Sequence, residues 1–157
     1  MSIYIEKNRR TKQLIQESFM QILEDKSFES ITVGDITKKA QINRGTFYLH
    51  YKDKYDLLDK IEQQLFEDLG NRIDELQTNY SATDTFEKGQ EQLAAALFRS
   101  IKMHSQMLKI LLNNHGRAGF HIRFRDAFSE KVRVNLEKNI SFYAHLNVPM
   151  EYFLSFI

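Results

Sequence analysis

Residues 31–55, ITVGDITKKAQINRGTFYLHYKDKY, constrain the fold more than any other stretch because they carry two helix start signals close together. Thr32 is placed to cap a first helix, with Asp35 three residues later in the position of a capping box. Asn43 is placed to cap a second helix. Because only residues 41–43 separate the two helices, they must cross rather than lie side by side. The pattern predicts a helix-turn-helix, whose second helix enters a DNA major groove.

Hydrophobic residues complete a small core around these two predicted helices, at 33–40 and 44–49. A first helix over 8–25 carries an apolar stripe at helical spacing, made of Leu14, Ile15, Phe19, Ile22 and Leu23. We expect this stripe to pack against residues of the helix pair: Val33, Ile36, Ala40, Ile42, Phe47 and Leu49. Each helix of the pair also has a possible hydrophobic staple at its start. Ile31 is spaced to pack against Ile36, and Ile42 against Phe47.

The rest of the chain also reads as helices, because one proline and six glycines leave long helical patterns almost uninterrupted. Asp53 is placed to cap a long helix, and further helices are expected at 85–102, 105–113 and 117–145 and after Pro149. The sequence thus predicts an all-α fold with a helix-turn-helix domain over 1–53 and a helical regulatory and dimerisation domain over 54–157, in which 54–79 is the connecting helix. The last predicted helix is short and very apolar, so we expect this second domain to be incomplete at its C-terminal end.

Charge is distributed unevenly although the whole chain carries only +1. Residues 1–54 hold ten Lys and Arg against seven Asp and Glu, and residues 55–80 hold two against seven. A basic N-terminal module followed by an acidic helix suggests a single face suited to phosphate. No cysteine, signal peptide or membrane-length apolar run is found, which favours a cytoplasmic protein without disulfides. The histidines have no metal-binding spacing, and no catalytic or cofactor motif is found, so neither an enzyme nor a cofactor is expected.

Residues 8–69 resemble the DNA-binding half of the TetR family of bacterial transcription regulators. The matching residues are the run 32–36, Lys39-Ala40, the run 43–54 (NRGTFYLHYKDK) and Leu57-Leu58. The most specific part of this signature is the end of the second helix, Phe47-Tyr48-Leu49-His50-Tyr51, followed by a short turn that contains lysine. One departure is Leu49, where relatives often carry Arg or Tyr, so a phosphate contact is expected to be missing there.

The resemblance and the chemistry of the side chains together predict a DNA-contacting set. Gly45 lets the backbone approach DNA closely, Arg44 is suited to guanine, and Thr46 is suited to a thymine methyl. Tyr48 and His50 are expected to bind phosphates, and Lys54 and the helix start at Thr32 to hold the DNA backbone from either side. The alternative for each is an ordinary exposed or structural side chain. The predicted set is Thr32, Asn43, Arg44, Gly45, Thr46, Tyr48, Leu49, His50 and Lys54.

The C-terminal half resembles, more weakly, regulators of dihydroxyacetone kinase operons, mainly through Pro149-Met150-Glu151-Tyr152-Phe153-Leu154-Ser155-Phe156. An aromatic and methionine stripe at helical spacing is ordinarily core, but the resemblance favours a ligand cavity between the helices. The residues expected to line it are Phe98, Met103, Met107, Phe120, Phe124 and Phe128.

The predicted function is sequence-specific binding of a double-stranded DNA operator by a homodimer. Repression relieved by a small-molecule effector in the C-terminal domain is the family's usual mode. The alternatives are an activator-type regulator controlled by a protein partner, and a helical interaction protein whose basic end does not bind specific DNA.

Overall fold

The computed structural model describes residues 3–78, 95, 98–113 and 116–138. Every regular element within these residues is helical, which confirms the all-α prediction. The elements are α1 (Ile3–Asp25), a 3₁₀ helix (Phe28–Ser30), α2 (Val33–Lys39), α3 (Arg44–Tyr48), α4 (Lys54–Thr78), α5 (Ser105–Leu112) and α6 (Phe120–Lys138). Residues 98–103 are helical as well. The helix predicted after Pro149 lies outside the described residues.

The chain divides into two compact units. The first consists of Met1–Gln64 with Ser105–Ala118, and the second of Leu65–His104 with Gly119–Ile157. The predicted boundary between residues 53 and 54 was drawn from the sequence pattern and stays a prediction. None of the described helices is long and apolar enough to cross a membrane.

The core of the first unit forms where α1 meets the helix pair. Its fully buried side chains come from five successive elements, so no one helix could be removed without exposing it. They include Ile15, Phe19, Leu23, Phe28, Ile31, Ile36, Phe47, Leu57 and Leu58. Burying each such side chain contributes about 1.5–3 kcal/mol. The rings of Phe19 and Phe28 meet edge to face with their centroids 6.3 Å apart.

Two residues expected in this core are exposed instead. Leu14 is 41% exposed because the buried stripe of α1 follows Ile15, Ser18, Phe19 and Leu23, which leaves Leu14 at its edge. Leu49 is 83% exposed because it follows the last residue of α3, where the chain turns away from the core. The first helix also begins at Ile3, five residues before the predicted start.

A Schellman motif ends α2 and sets the angle of the helix-turn-helix. The N–H of Gln41 donates to the carbonyl of Lys38 at 3.3 Å, and the N–H of Ile42 donates to that of Thr37 at 3.0 Å. Gln41 has a φ of 53°, the left-handed conformation that this motif requires and that glycine usually supplies. The chain can therefore reverse direction within residues 41–43 and begin α3 immediately.

Asp53 caps α4, as the sequence predicts. Its Oδ1 atom accepts a hydrogen bond of 2.8 Å from the N–H of Asp56. The carboxylate of Asp56 reaches back to the N–H of Lys52 at 2.9 Å and also binds Lys60 Nζ at 2.9 Å. These hydrogen bonds lower the pKa of Asp56, with the Lys52 backbone contact as the largest cause and the Lys60 contact next.

Helix α5 and the turn after it belong to the first unit. Gln106 at the start of α5 donates a 3.0 Å hydrogen bond to Glu24 near the end of α1. Arg117 forms a 2.6 Å ion pair with Asp59 of α4. The segment Gly116-Arg117-Ala118-Gly119 is thus a turn between helices, and Gly119 has a φ of 80° just before α6 begins.

Phenylalanine rings organise the second unit. Phe120, Phe124 and Phe128 follow one another along α6 with centroid separations of 5.9 and 6.2 Å, which confirms the predicted stripe. Phe66 of α4 packs against it, with its ring 6.0 Å from Phe120 and 5.8 Å from Phe124. The methylene groups of Lys131 lie over Gly70, so a Cβ atom there would meet them at 3.1–3.3 Å.

Candidate nucleic-acid interface

A reciprocal pair of hydrogen bonds fixes the start of α2. The N–H of Asp35 donates to Thr32 Oγ1 at 3.1 Å, and the Asp35 carboxylate accepts from the N–H of Thr32 at 2.9 Å. The Thr32 hydroxyl also donates to this carboxylate at 2.7 Å. These bonds, before the charge of Lys26 at 3.6 Å, hold the pKa of Asp35 below its usual range. The predicted capping box is confirmed, and the Thr32 hydroxyl proton is used within it.

The start of α3 depends on Asn43 in the same way. Its Oδ1 atom accepts a 2.7 Å hydrogen bond from the N–H of Thr46 and a 3.0 Å hydrogen bond from the Thr46 hydroxyl. A Cβ atom on Gly45 would lie 3.2 Å from the same oxygen. Glycine at this position therefore leaves room for the cap as well as for a close approach of the backbone to DNA.

Helix α3 presents an exposed face that includes three of the predicted contact residues, Arg44, Gly45 and Tyr48. Phe47 is completely buried and anchors the helix, whereas Arg44 and Gly45 at its start are exposed. Tyr48 is 55% exposed although the edge of its ring packs against Phe47, with the centroids 5.5 Å apart. A helix of five residues held by one buried aromatic and one cap thus keeps Arg44, Gly45 and Tyr48 at the surface.

His50 lies half-buried just after α3, close to a cation from α1. Burial lowers the pKa of its imidazole, and the nearby charge of Lys12 lowers it further. The ring of Tyr51 is 6.3 Å away, and burial, followed by the charge of Asp56, raises the pKa of the Tyr51 phenol. The positive charge of Lys12 therefore acts on the imidazole of His50 across α1 and the end of α3.

Lys60 is a supporting residue that the sequence interpretation did not identify. Its ammonium donates to the carbonyl of His50 at 3.3 Å and lies 5.1 Å from the centre of the Tyr51 ring. The same ammonium binds Asp56, which holds the first turn of α4. The spacing of Asp56 and Lys60, four residues apart in a helix, is the signal that could have revealed this link.

Lys54 makes contacts within the protein that the sequence did not predict. Its ammonium donates to the carbonyls of Phe28 and Glu29 at 3.0 and 2.9 Å, so it caps the end of the 3₁₀ helix. It also lies 4.8 Å from the centroid of the Phe28 ring and 5.4 Å from that of Tyr55. Two of its three N–H groups are thus used within the protein, which gives Lys54 a structural role, and its predicted DNA contact stays a prediction.

The basic residues near the start of α1 differ in the contacts that they make. Arg9 forms two hydrogen bonds with Glu6, of 3.2 and 2.7 Å, and both side chains remain exposed. This contact raises the pKa of Arg9 and lowers that of Glu6. Arg10 and Lys12 are exposed, and of these Lys12 is the one whose charge reaches His50.

The predicted ligand cavity lined by Phe98, Met103, Met107, Phe120, Phe124 and Phe128 stays a prediction. Phe98 and Met103 are 73% and 63% exposed, and Met107 belongs to the first unit while the phenylalanines of α6 belong to the second. A small apolar cleft does exist within the second unit, lined by Phe66, Leu69, Gly70, Phe124, Ala127, Phe128 and Lys131. Its volume is about 10 Å³, roughly the room for one water molecule.

This arrangement of capped, crossing helices with an exposed second helix defines a helix-turn-helix DNA-binding domain. Residues 19–61 match the family model of bacterial regulatory proteins of the tetR family. Over this segment, about a quarter of the chain, the sequence is similar to the DNA-binding part of that family.

Two relatives are similar in sequence. One is the uncharacterized HTH-type transcriptional regulator YxbF of Bacillus subtilis (strain 168), 26% identical over 119 residues, which cover 75% of this chain and 30% of the relative. The other is the HTH-type transcriptional regulator AcrR of Shigella flexneri, 36% identical over 81 residues, which cover 47% of this chain and 36% of AcrR. The chain thus spans about a third of the length of these relatives.

Solved structures are similar in fold. A putative fatty acid metabolism regulator from Clostridium perfringens has a TM-score of 0.64 and 18% identity, over 82% of this chain and 70% of that one. A TetR transcriptional regulator from Streptococcus agalactiae 2603V has a TM-score of 0.61 and 23% identity, over 98% of this chain and 79% of that one. These likenesses concern the fold alone, and the resemblance to regulators of dihydroxyacetone kinase operons stays a prediction.

Proposed function

We propose that this chain binds a specific DNA operator as a homodimer and represses transcription until an effector binds its C-terminal domain. The observation that carries the proposal is the exposed face of α3, which offers Arg44, Gly45 and Tyr48 while Phe47 anchors the helix in the core. An exposed face on a short, firmly capped helix is what insertion into a major groove requires.

Each contact residue is suited to a different part of DNA. Arg44 can pair with guanine O6 and N7, and the methyl group of Thr46 can contact a thymine methyl while its hydroxyl binds Asn43. Tyr48 and His50 are suited to phosphate oxygens, with the charge of Lys12 close to His50. Base contacts would set the sequence preference, and phosphate contacts would position the helix.

The spacing of major grooves in DNA sets the distance between the two α3 helices of the proposed homodimer. Two α3 helices can enter successive major grooves on one face only if they are about 34–36 Å apart, or a multiple of that distance. An effector that binds better to a dimer with a different spacing would lower DNA affinity by linkage. The aromatic cluster of Phe66, Phe120, Phe124 and Phe128 supports an apolar effector site, which the small cleft beside it would have to enlarge to form.

The test is a mobility shift with the DNA flanking the gene, followed by footprinting of the shifted complex. We expect a sequence-selective, salt-sensitive complex protecting two half-sites, and Arg44→Ala should relax the preference at particular bases. Lys39→Ala, which removes an exposed charge from α2, is the matched control for general electrostatic attraction. A complex indifferent to DNA sequence would contradict operator binding and favour a helical interaction protein.

Repression and activation are separated by transcription in vitro from the same promoter. Repression predicts fewer transcripts as protein is added, and restoration when an extract fraction containing the effector is added. More transcripts on adding the protein would contradict repression and support an activator-type regulator, with or without a protein partner.

A further inference from the structure

The guanidinium of Arg44 lies against the backbone of Gly34. A Cβ atom built on Gly34 would be 3.0 Å from Arg44 Nη2 and 3.9 Å from its Cζ atom. The same Cβ would be 3.4 Å from Thr32 Oγ1. The absence of a side chain at position 34 therefore leaves the space beside the first turn of α2 that the head of Arg44 fills.

This contact joins the two helices of the helix-turn-helix at the surface rather than in the core. Arg44 begins α3 and is exposed, whereas Gly34 is the second residue of α2. A guanidinium is planar and holds its five N–H groups in fixed directions, so its orientation decides which acceptors it can meet. Glycine within a helix costs about 0.5–1 kcal/mol relative to alanine, so helix propensity does not explain its presence at position 34.

We propose that Gly34 is a specificity-determining residue of the DNA interface. It seats the Arg44 guanidinium beside the first turn of α2, so that Arg44 approaches DNA from that side and reads one base edge. The inference rests on the proposed DNA binding and deepens it by naming the residue that directs Arg44.

The substitution Gly34→Ala, which adds a methyl group at position 34, tests this role of Gly34. It would meet the far end of a flexible side chain, so the fold can accommodate it while the guanidinium shifts by a few tenths of an ångström from its present position. Alanine should also favour α2 as a helix, so Gly34→Ala is expected to unfold at the same or a higher temperature than the wild type.

The experiment is a double-mutant cycle of Gly34→Ala and Arg44→Ala, with affinities measured on the operator and on operators changed one base pair at a time. We expect Gly34→Ala to weaken operator binding about five- to tenfold, the lower range of discrimination by a bidentate arginine–guanine pair. In the Arg44→Ala background the same change should have almost no effect, because the guanidinium is absent. Lys38→Ala, an exposed change in the same helix, should combine additively with Arg44→Ala.

The outcomes separate this inference from the proposed function. If the wild type forms no sequence-selective complex, the proposed function is wrong. If the wild type is selective but Gly34→Ala leaves binding unchanged, or weakens it equally with and without Arg44, the role of Gly34 is overturned while DNA binding stands.

Discussion

Replacing Lys54 by methionine distinguishes the role that the structure assigns to this residue from the role that the sequence predicted. Methionine keeps the apolar stem against Phe28 and Tyr55 but removes the ammonium. The carbonyls of Phe28 and Glu29 then lose the hydrogen bonds from this ammonium, and that of Phe28 keeps only the one from the N–H of Ile31. The structure therefore predicts a loss of stability, whereas a phosphate contact would predict a loss of DNA affinity.

The size of the loss follows from the contacts. Hydrogen bonds to charged groups contribute about 1.5–3 kcal/mol, and an exposed cation–π contact about 0.5–1 kcal/mol. Lys54 is only half-buried, so water can replace part of each contact in the variant. We expect a net destabilisation of about 2 kcal/mol, which lowers Tm by roughly 4–8 °C in a chain of this size.

Urea unfolding followed by circular dichroism measures this change, with Lys52→Met as the control because Lys52 is an exposed lysine two residues earlier. The control should unfold at the wild-type midpoint. DNA binding of Lys54→Met, measured far below its Tm, should keep the wild-type salt dependence. An unchanged midpoint together with a salt slope reduced by about 0.9, the loss of one phosphate contact, would refute the structural role.

Three further changes test other parts of the interface. Asn43→Ala should destabilise the protein by about 1 kcal/mol because α3 loses its cap, as a shift of the urea midpoint would show. Gln41→Gly should stabilise it by about 0.5 kcal/mol, since relief of the left-handed strain exceeds the added chain entropy of glycine; a lower midpoint would contradict this. His50 should take up a proton on binding phosphate, because burial and Lys12 lower its pKa in the free protein and a phosphate raises it. Operator affinity should therefore be highest below the free-state pKa and decline as pH rises through the pKa of the complex, whereas His50→Gln should flatten this dependence between about pH 5 and 8.

Features encoded by neighbouring residues could be predicted from the sequence. The capping side chains of Thr32, Asn43 and Asp53 each accept a hydrogen bond from the N–H three residues later. A cap of this kind can therefore be predicted from four consecutive residues. The predicted helices at 33–40 and 44–49 end within one residue of the observed α2 and α3 for the same reason. The all-α architecture followed because almost nothing in the sequence interrupts its helical periodicity.

Features that join distant residues could not be predicted in this way. Lys54 binds carbonyls 25 and 26 residues earlier, and only the packing of the 3₁₀ helix against α4 brings them together. The contact of Arg44 with Gly34 likewise depends on the crossing of two helices. The left-handed conformation of Gln41 could not be predicted for a different reason. A left-handed turn without glycine or asparagine has no strong sequence signal.

Because α3 is short, polar atoms in its first turn are needed for the stability of the helix. A helix of five residues cannot be stable by itself, so its first turn depends on the Asn43 cap and on the burial of Phe47. The Asn43 oxygen accepts the hydroxyl proton of Thr46, which leaves the Thr46 methyl group as the part that can contact a base. Sequence discrimination would then fall mainly on Arg44, whose donors extend beyond the cap, and its direction would depend on the space left at Gly34. Stability and specificity therefore rely on different atoms within the same few residues, which is why the substitutions proposed above can change one without the other.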